Sequence, residues 1–162
     1  MLYPETGSEF LQGSVNDNHF RLAKERAISQ RGNFAFETNF SADDPTVSLS
    51  EFQNAGYNCH LIFMGMPTIA ECVQRVSFRV KAGGHKVSEE SIEYNFTYGY
   101  KNLYKYFRLF DSVTLLDSAI PEDDKLKVPE PILIWKKGKY KLLKTTYPGW
   151  IEKLTSEIEG QA

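Results

Sequence analysis

Apolar residues recur in the middle of the chain first as a continuous run and then at helical spacing. The run 61–64 has the length of a buried strand, and Gly65 with Pro67 ends it. A helix is predicted from Pro67-Thr68 onward, because apolar side chains then recur every three or four residues. Gly83-Gly84 is expected to end it, since glycine tolerates the left-handed conformation common at helix C-termini. The predicted buried stripe consists of Ile69, Cys72, Val73, Val76 and Val80.

The same patterns predict elements on both sides of this unit. Upstream, they are a helix beginning at Asn16 or Asn18 and ending near Gln30, a strand over 33–38 and a short helix beginning at Thr46 or Ser48 and closed by Gly56. Downstream, they are a helix over 88–109, a strand over 112–116, a hairpin over 132–143 and a helix over 151–158. Residues 1–15 are expected to be a loose lead-in, and 120–131 a charged loop.

Strands that alternate with helices indicate an α/β layered fold with a mainly parallel sheet. The C-terminal hairpin would add antiparallel strands at one edge. A chain of 162 residues is expected to form one domain with its own core.

Composition restricts the function classes. The net charge is −2, from 19 basic and 21 acidic residues, so no overall field favours nucleic acid or a membrane surface. The apolar runs are too short to cross a bilayer, and the N-terminus does not have the pattern of a signal peptide. The two cysteines, Cys59 and Cys72, fall at predicted core positions, so we expect reduced thiols and a cytoplasmic location.

Two segments resemble the zeta toxin family. They are 34–41, FAFETNFS, and 75–87, RVSFRVKAGGHKV, and the resemblance extends over about 18–118. The family consists of P-loop kinases with a three-layer fold. The resemblance therefore implies phosphoryl transfer from ATP, with magnesium, to UDP-N-acetylglucosamine or a similar sugar nucleotide. It also implies an antitoxin protein as partner.

The resemblance assigns roles to particular residues. Glu37 and Thr38 match the substrate-binding end of a strand, whereas Arg75 and Arg79 match catalytic arginines near the transferred phosphates. No residue is assigned to a metal. The positions that match the entrance of the family's lid are Gly83, Gly84 and His85.

The sequence departs from the family at the phosphate-binding loop. Its one Gly-Lys pair, Gly138-Lys139, precedes Tyr140 and has Leu133 where the motif requires its first glycine. The family's general base would also lie upstream of residue 18. We therefore expect the C-terminal part of a P-loop-kinase-like fold, catalytically impaired and without tight binding of ATP or magnesium. Its regions would be a lead-in over 1–17, a partial kinase core over 18–118 and a hairpin with helix over 119–162.

Without the P-loop strand, the strands at 34–38 and 59–64 must pair directly or leave facing edges open, and a homo-oligomer could fill such a gap. Two functions remain open: a zeta-toxin-like kinase that has lost its P-loop, and a non-catalytic module that binds a nucleotide sugar or a protein. For single residues, too, ordinary structural roles compete with functional ones. The arginines could be surface cations, His85 could hydrogen-bond at a helix entry, and the lysines of 136–139 could form a solvated turn.

Overall fold

The structure is a computed structural model that describes the backbone of residues 5–118 and 128–160 and, within these, the side chains from residue 17 onward. It divides into two compact units, Met1–Glu37 and Thr38–Ala162. The predicted loop 120–131 lies mostly outside the described residues.

The described part of the first unit contains one helix, α1, over Glu5–Gln30. It ends where the sequence predicts: Arg31 has a φ of 55°, and the Gly32 amide donates to the Ala27 carbonyl at 2.9 Å. It begins well before Asn16, so the expectation of a loose lead-in is wrong from Glu5 onward.

The strand predicted at 33–38 does not form, and this segment has no regular secondary structure. A strand requires a hydrogen-bonded neighbour, whereas this segment is anchored through its aromatic rings. The rings of Phe34 and Phe36 lie 5.7 and 5.2 Å from that of Phe20 on α1. Residues two apart on an extended chain point the same way, so both can contact one ring.

The second unit consists of four strands and four α-helices in its described part. In chain order they are α2 Asp44–Asn54, β1 His60–Gly65, α3 Ile69–Lys81, α4 Glu89–Tyr106, β2 Ser112–Asp117, β3 Glu130–Lys136, β4 Lys139–Leu142 and α5 Gly149–Glu159, with a 3₁₀ turn, Phe107–Leu109, after α4. The strand predicted at 61–64 forms, but it is a half-exposed edge strand and not a buried one. The helix after it, the hairpin and the last helix are confirmed.

The sheet is mixed, with strand order β1-β2-β3-β4. Only β1 and β2 are parallel; β3 is antiparallel to β2, and β4 to β3. The α/β class is therefore confirmed, but the prediction of a mainly parallel sheet is wrong. The physical reason is that β3 lies directly beside β2 and turns back into β4, so the hairpin forms half of the sheet.

Local sequence signals set several element ends. The side chains of Thr68 and Ser88 accept hydrogen bonds from the amides three residues on, at 3.2 Å, and so cap α3 and α4. Gly83 ends α3 with a φ of 89°. The two-residue hairpin turn has φ values of 48° at Lys137 and 80° at Gly138, the positive pair that a tight hairpin favours.

The core lies between one face of the sheet and two helices, α4 and α5. Leu103 of α4, Phe107 of the 3₁₀ turn and Leu154 of α5 are fully buried against sheet residues such as Val113 and Leu115. Helix α3 packs beside α4 and contributes no fully buried residue. The prediction of a buried stripe on α3 is therefore wrong: its apolar side chains are half-buried, and Val80 is 36% exposed.

Candidate functional site

Arg79 and the predicted lid entrance are joined at the end of α3. The Arg79 guanidinium donates to the His85 carbonyl at 3.2 Å, and the Gly84 amide donates to the Arg79 carbonyl at 2.8 Å. A Cβ on Gly84 would lie 2.6 Å from Cγ of Arg79, so the glycine permits this close approach. These contacts are typical of the turn that ends an α-helix.

Arg75 lies half-buried one turn earlier on α3. Its charge lowers the pKa of the Cys72 thiol, but burial and Glu71 outweigh it and raise that pKa to about 11. The two arginines lie one helical turn apart on α3, as their spacing of four predicts. They share this helix with Cys72, a half-buried thiol that stays protonated.

Glu37 and Thr38 do not stand at the end of a strand, because the segment before them is not one. Both are exposed. Glu37 ends the first unit and Thr38 begins the second, where its hydroxyl accepts a hydrogen bond from the Phe40 amide at 3.1 Å. Their predicted position at a strand end is wrong, and their role in substrate binding stays a prediction.

The exposed surface of α4 has an open depression lined by Glu90, Ser91, Tyr94 and Asn95. Beside it, the rings of Tyr94 and Tyr98 lie 4.4 Å apart. A depression formed by one helix lacks convergent groups from other elements, which a small-molecule site normally has. Among the described side chains, no group of three potential metal ligands occurs.

The second face of the sheet is exposed to solvent and carries exposed apolar side chains. Side chains alternate between faces along a strand. Leu61, Phe63, Val113, Leu115 and Trp135 point toward the helices. The alternate positions form what we call the open face: His60, Ile62, Met64, Ser112, Thr114, Leu116, Ile134, Lys136, Lys139 and Lys141.

Apolar side chains occupy the middle of the open face. Ile62 is 68% exposed, Met64 59% and Ile134 40%. Thr114, half-buried, stands between Ile62 and Ile134 in the register. Together with Leu116 of β2, which is half-buried and paired with Met64, the apolar groups form a strip across three strands rather than isolated exposures.

Polar and basic side chains border this strip at one end. His60 Nδ1 and Ser112 Oγ lie 2.7 Å apart, on paired residues of β1 and β2. The same cross-strand row continues through Lys136 to Lys139. The row combines a hydrogen-bonded imidazole with two ammonium groups.

The two edges of the sheet differ. On β4, Lys139 and Lys141 provide the charge that discourages strand addition, whereas β1 contains no lysine, arginine, aspartate or glutamate. The sequence predicted β1 as a buried strand, so it did not identify either the open face or this edge. The one available signal was the basic tip of the hairpin, Lys136, Lys137 and Lys139, which the sequence also allows as a solvated turn.

No profile of a known protein family matches the chain, and no solved structure matches it. A protein of Haemophilus influenzae without assigned function is 27% identical over 70 residues, which cover 43% of this chain and 50% of that protein. The matched region thus spans about half of the relative. Among the described residues, no helix has the length and apolar character to span a membrane.

Proposed function

We propose that this chain is a non-catalytic protein-binding module and that the open face receives the partner. The observation that carries the proposal is the exposure of Ile62 and Met64, 68% and 59%, on a strand whose other face packs toward the core. Parallel strand pairs are usually covered on both faces.

The energetics support a partner at this position. Fully burying an exposed isoleucine or methionine side chain contributes about 1.5–3 kcal/mol. Three such side chains lie on one face of the sheet, two on β1 and one on β3 with β2 between them, so a partner could bury all three with one surface. Contiguous apolar exposure of this kind marks interaction sites more often than scattered apolar residues do.

Site-specific photocrosslinking in the native host tests the proposal. A photoreactive phenylalanine analogue is placed at Ile62 and, as the matched control, at Val47 of α2, which is 59% exposed. We expect a defined protein, identified by mass spectrometry, to crosslink at Ile62 and not at Val47. Identical products at both positions, or none at Ile62, would refute the proposal.

The resemblance to zeta toxins supports a second proposal, in which the module binds a nucleotide sugar through Arg75 and Arg79. Titration calorimetry with UDP-N-acetylglucosamine and with ATP–magnesium tests it. This proposal expects binding of the sugar nucleotide that Arg75→Ala weakens. Absence of heat with both ligands would leave the protein-binding proposal alone.

A further inference from the structure

The basic residues of the open face are arranged unfavourably for the isolated chain. Lys136 and Lys139 are directly paired across β3 and β4, and Lys141 is paired with Ile134 two residues along. Like charges directly opposite one another on neighbouring strands destabilise a sheet. The hairpin therefore concentrates positive charge beside the apolar strip at some expense of its own stability.

The chain supplies no counter-charge for these lysines in its described part. Lys136, Lys139 and Lys141 form no ion pair there, although Lys144, just beyond β4, pairs with Glu130 at 2.5 Å. All ten residues of the open face are described, and none is an aspartate or glutamate. A lysine off this face is thus neutralised, while those on it keep their charge for an external group.

We propose that the partner of the open face is an acidic amphipathic protein segment. Its apolar side would cover Ile62, Met64 and Ile134, and its carboxylates would meet the lysines at the border. This inference rests on the proposed function and adds the chemistry of the partner. Complementary charge sets orientation and partner choice, while the apolar strip contributes most of the buried area.

A second copy of the chain fits this face less well. A two-fold interface uses the same patch on both copies. Two open faces in contact would bring together lysines with no carboxylate on either side, and unpaired charge is costly to desolvate. A nucleic acid would satisfy the lysines but would leave the isoleucines and the methionine without an apolar partner.

The test uses the full chain and two designed helical peptides of 18 residues. Both have leucine at spacings of three and four on one side; the first carries glutamate on the flanking positions and the second carries lysine. Binding is measured by fluorescence anisotropy at low and moderate salt. We expect the acidic peptide to bind at least about tenfold more tightly than the basic one, with the difference shrinking as salt is added.

Charge reversal then separates binding from stability. Lys139→Glu places an acid opposite Lys136, so we expect this single variant to have a higher urea midpoint and to bind the acidic peptide more weakly. In the double variant, which also carries Lys136→Glu, we expect the acidic peptide to bind about tenfold more weakly than it binds the wild type. Lys86→Glu, on the exposed loop between α3 and α4, is the matched control and should leave the affinity unchanged. Ile62→Ser should weaken both peptides, whereas Val47→Ser should weaken neither.

The possible outcomes distinguish the proposed acidic partner from the proposed protein-binding function. Equal binding of both peptides, combined with specific crosslinking at Ile62, would overturn the acidic partner and leave the protein-binding proposal standing. Crosslinked peptides that map to a second copy of the chain, with a dimer in light scattering that Ile62→Lys dissolves, would also overturn it. Crosslinked partner peptides that are apolar and net negative would support it. The absence of a specific crosslink at Ile62 would instead refute the proposed function itself.

Discussion

Replacing Gly65 with alanine should damage the junction between the sheet and α5. A Cβ at this last residue of β1 would lie 2.6 Å from Cη2 and 2.7 Å from Cε2 of Trp150. Carbon atoms normally approach to about 3.5–4.0 Å, so the indole would have to move by about 1 Å. It has little room, because its ring centroid lies 5.4 Å from that of Tyr100 and 6.2 Å from that of Phe63.

The magnitude follows from the cost of overpacking a core, about 1–3 kcal/mol. With a urea dependence of about 2 kcal/mol per molar, the unfolding midpoint should fall by about 0.5–1.5 M. Tryptophan fluorescence is a suitable probe, since both tryptophans, Trp135 and Trp150, belong to the second unit.

The matched control is Gly149→Ala, because a Cβ there meets no atom within 4 Å. It should leave the midpoint unchanged or raise it slightly. In a Trp150→Leu background, the additional effect of Gly65→Ala should shrink, which a double-mutant cycle would detect. If both alanine variants unfolded at the same urea concentration, the packing of the indole against β1 would be wrong.

Three further predictions each concern a single residue. Gly138→Ala forces alanine to a φ of 80° in the hairpin turn and should cost about 1–2 kcal/mol in urea unfolding, with Gly149→Ala unaffected. Tyr100→Phe removes the buried hydrogen bond from its hydroxyl to the Met66 carbonyl, 2.6 Å, and should cost about 0.5–1.5 kcal/mol; an unchanged midpoint would argue against that bond. Burial raises the pKa of Tyr104 to about 12, so its contribution to stability is present below the unfolded pKa of about 10 and is lost as pH rises toward 12. Urea midpoints between pH 9 and 11 should therefore fall less steeply in Tyr104→Phe than in the wild type, and equal slopes would contradict the assignment.

The sequence determined the elements whose signals are local. The alternation of apolar spacing and breakers located α3, α4 and the hairpin. It also predicted that α3 and α4 begin at Thr68 and Ser88, the residues that cap them, because a helix start depends on residues within one turn. The turn Lys137-Gly138 was predictable for the same reason. The class of the fold followed from the order of these elements.

Only the tertiary structure decided which strands meet and which faces remain uncovered. Segment 33–38 has the composition of a strand, yet strand formation depends on a neighbour that local sequence does not specify, and Phe34 and Phe36 pack on Phe20 instead. Likewise, the run 61–64 is equally apolar on both sides, but the helices cover only one of them. The open face therefore results from long-range packing. The positive charge beside it is concentrated only because the register of β3 and β4 places Lys136 opposite Lys139.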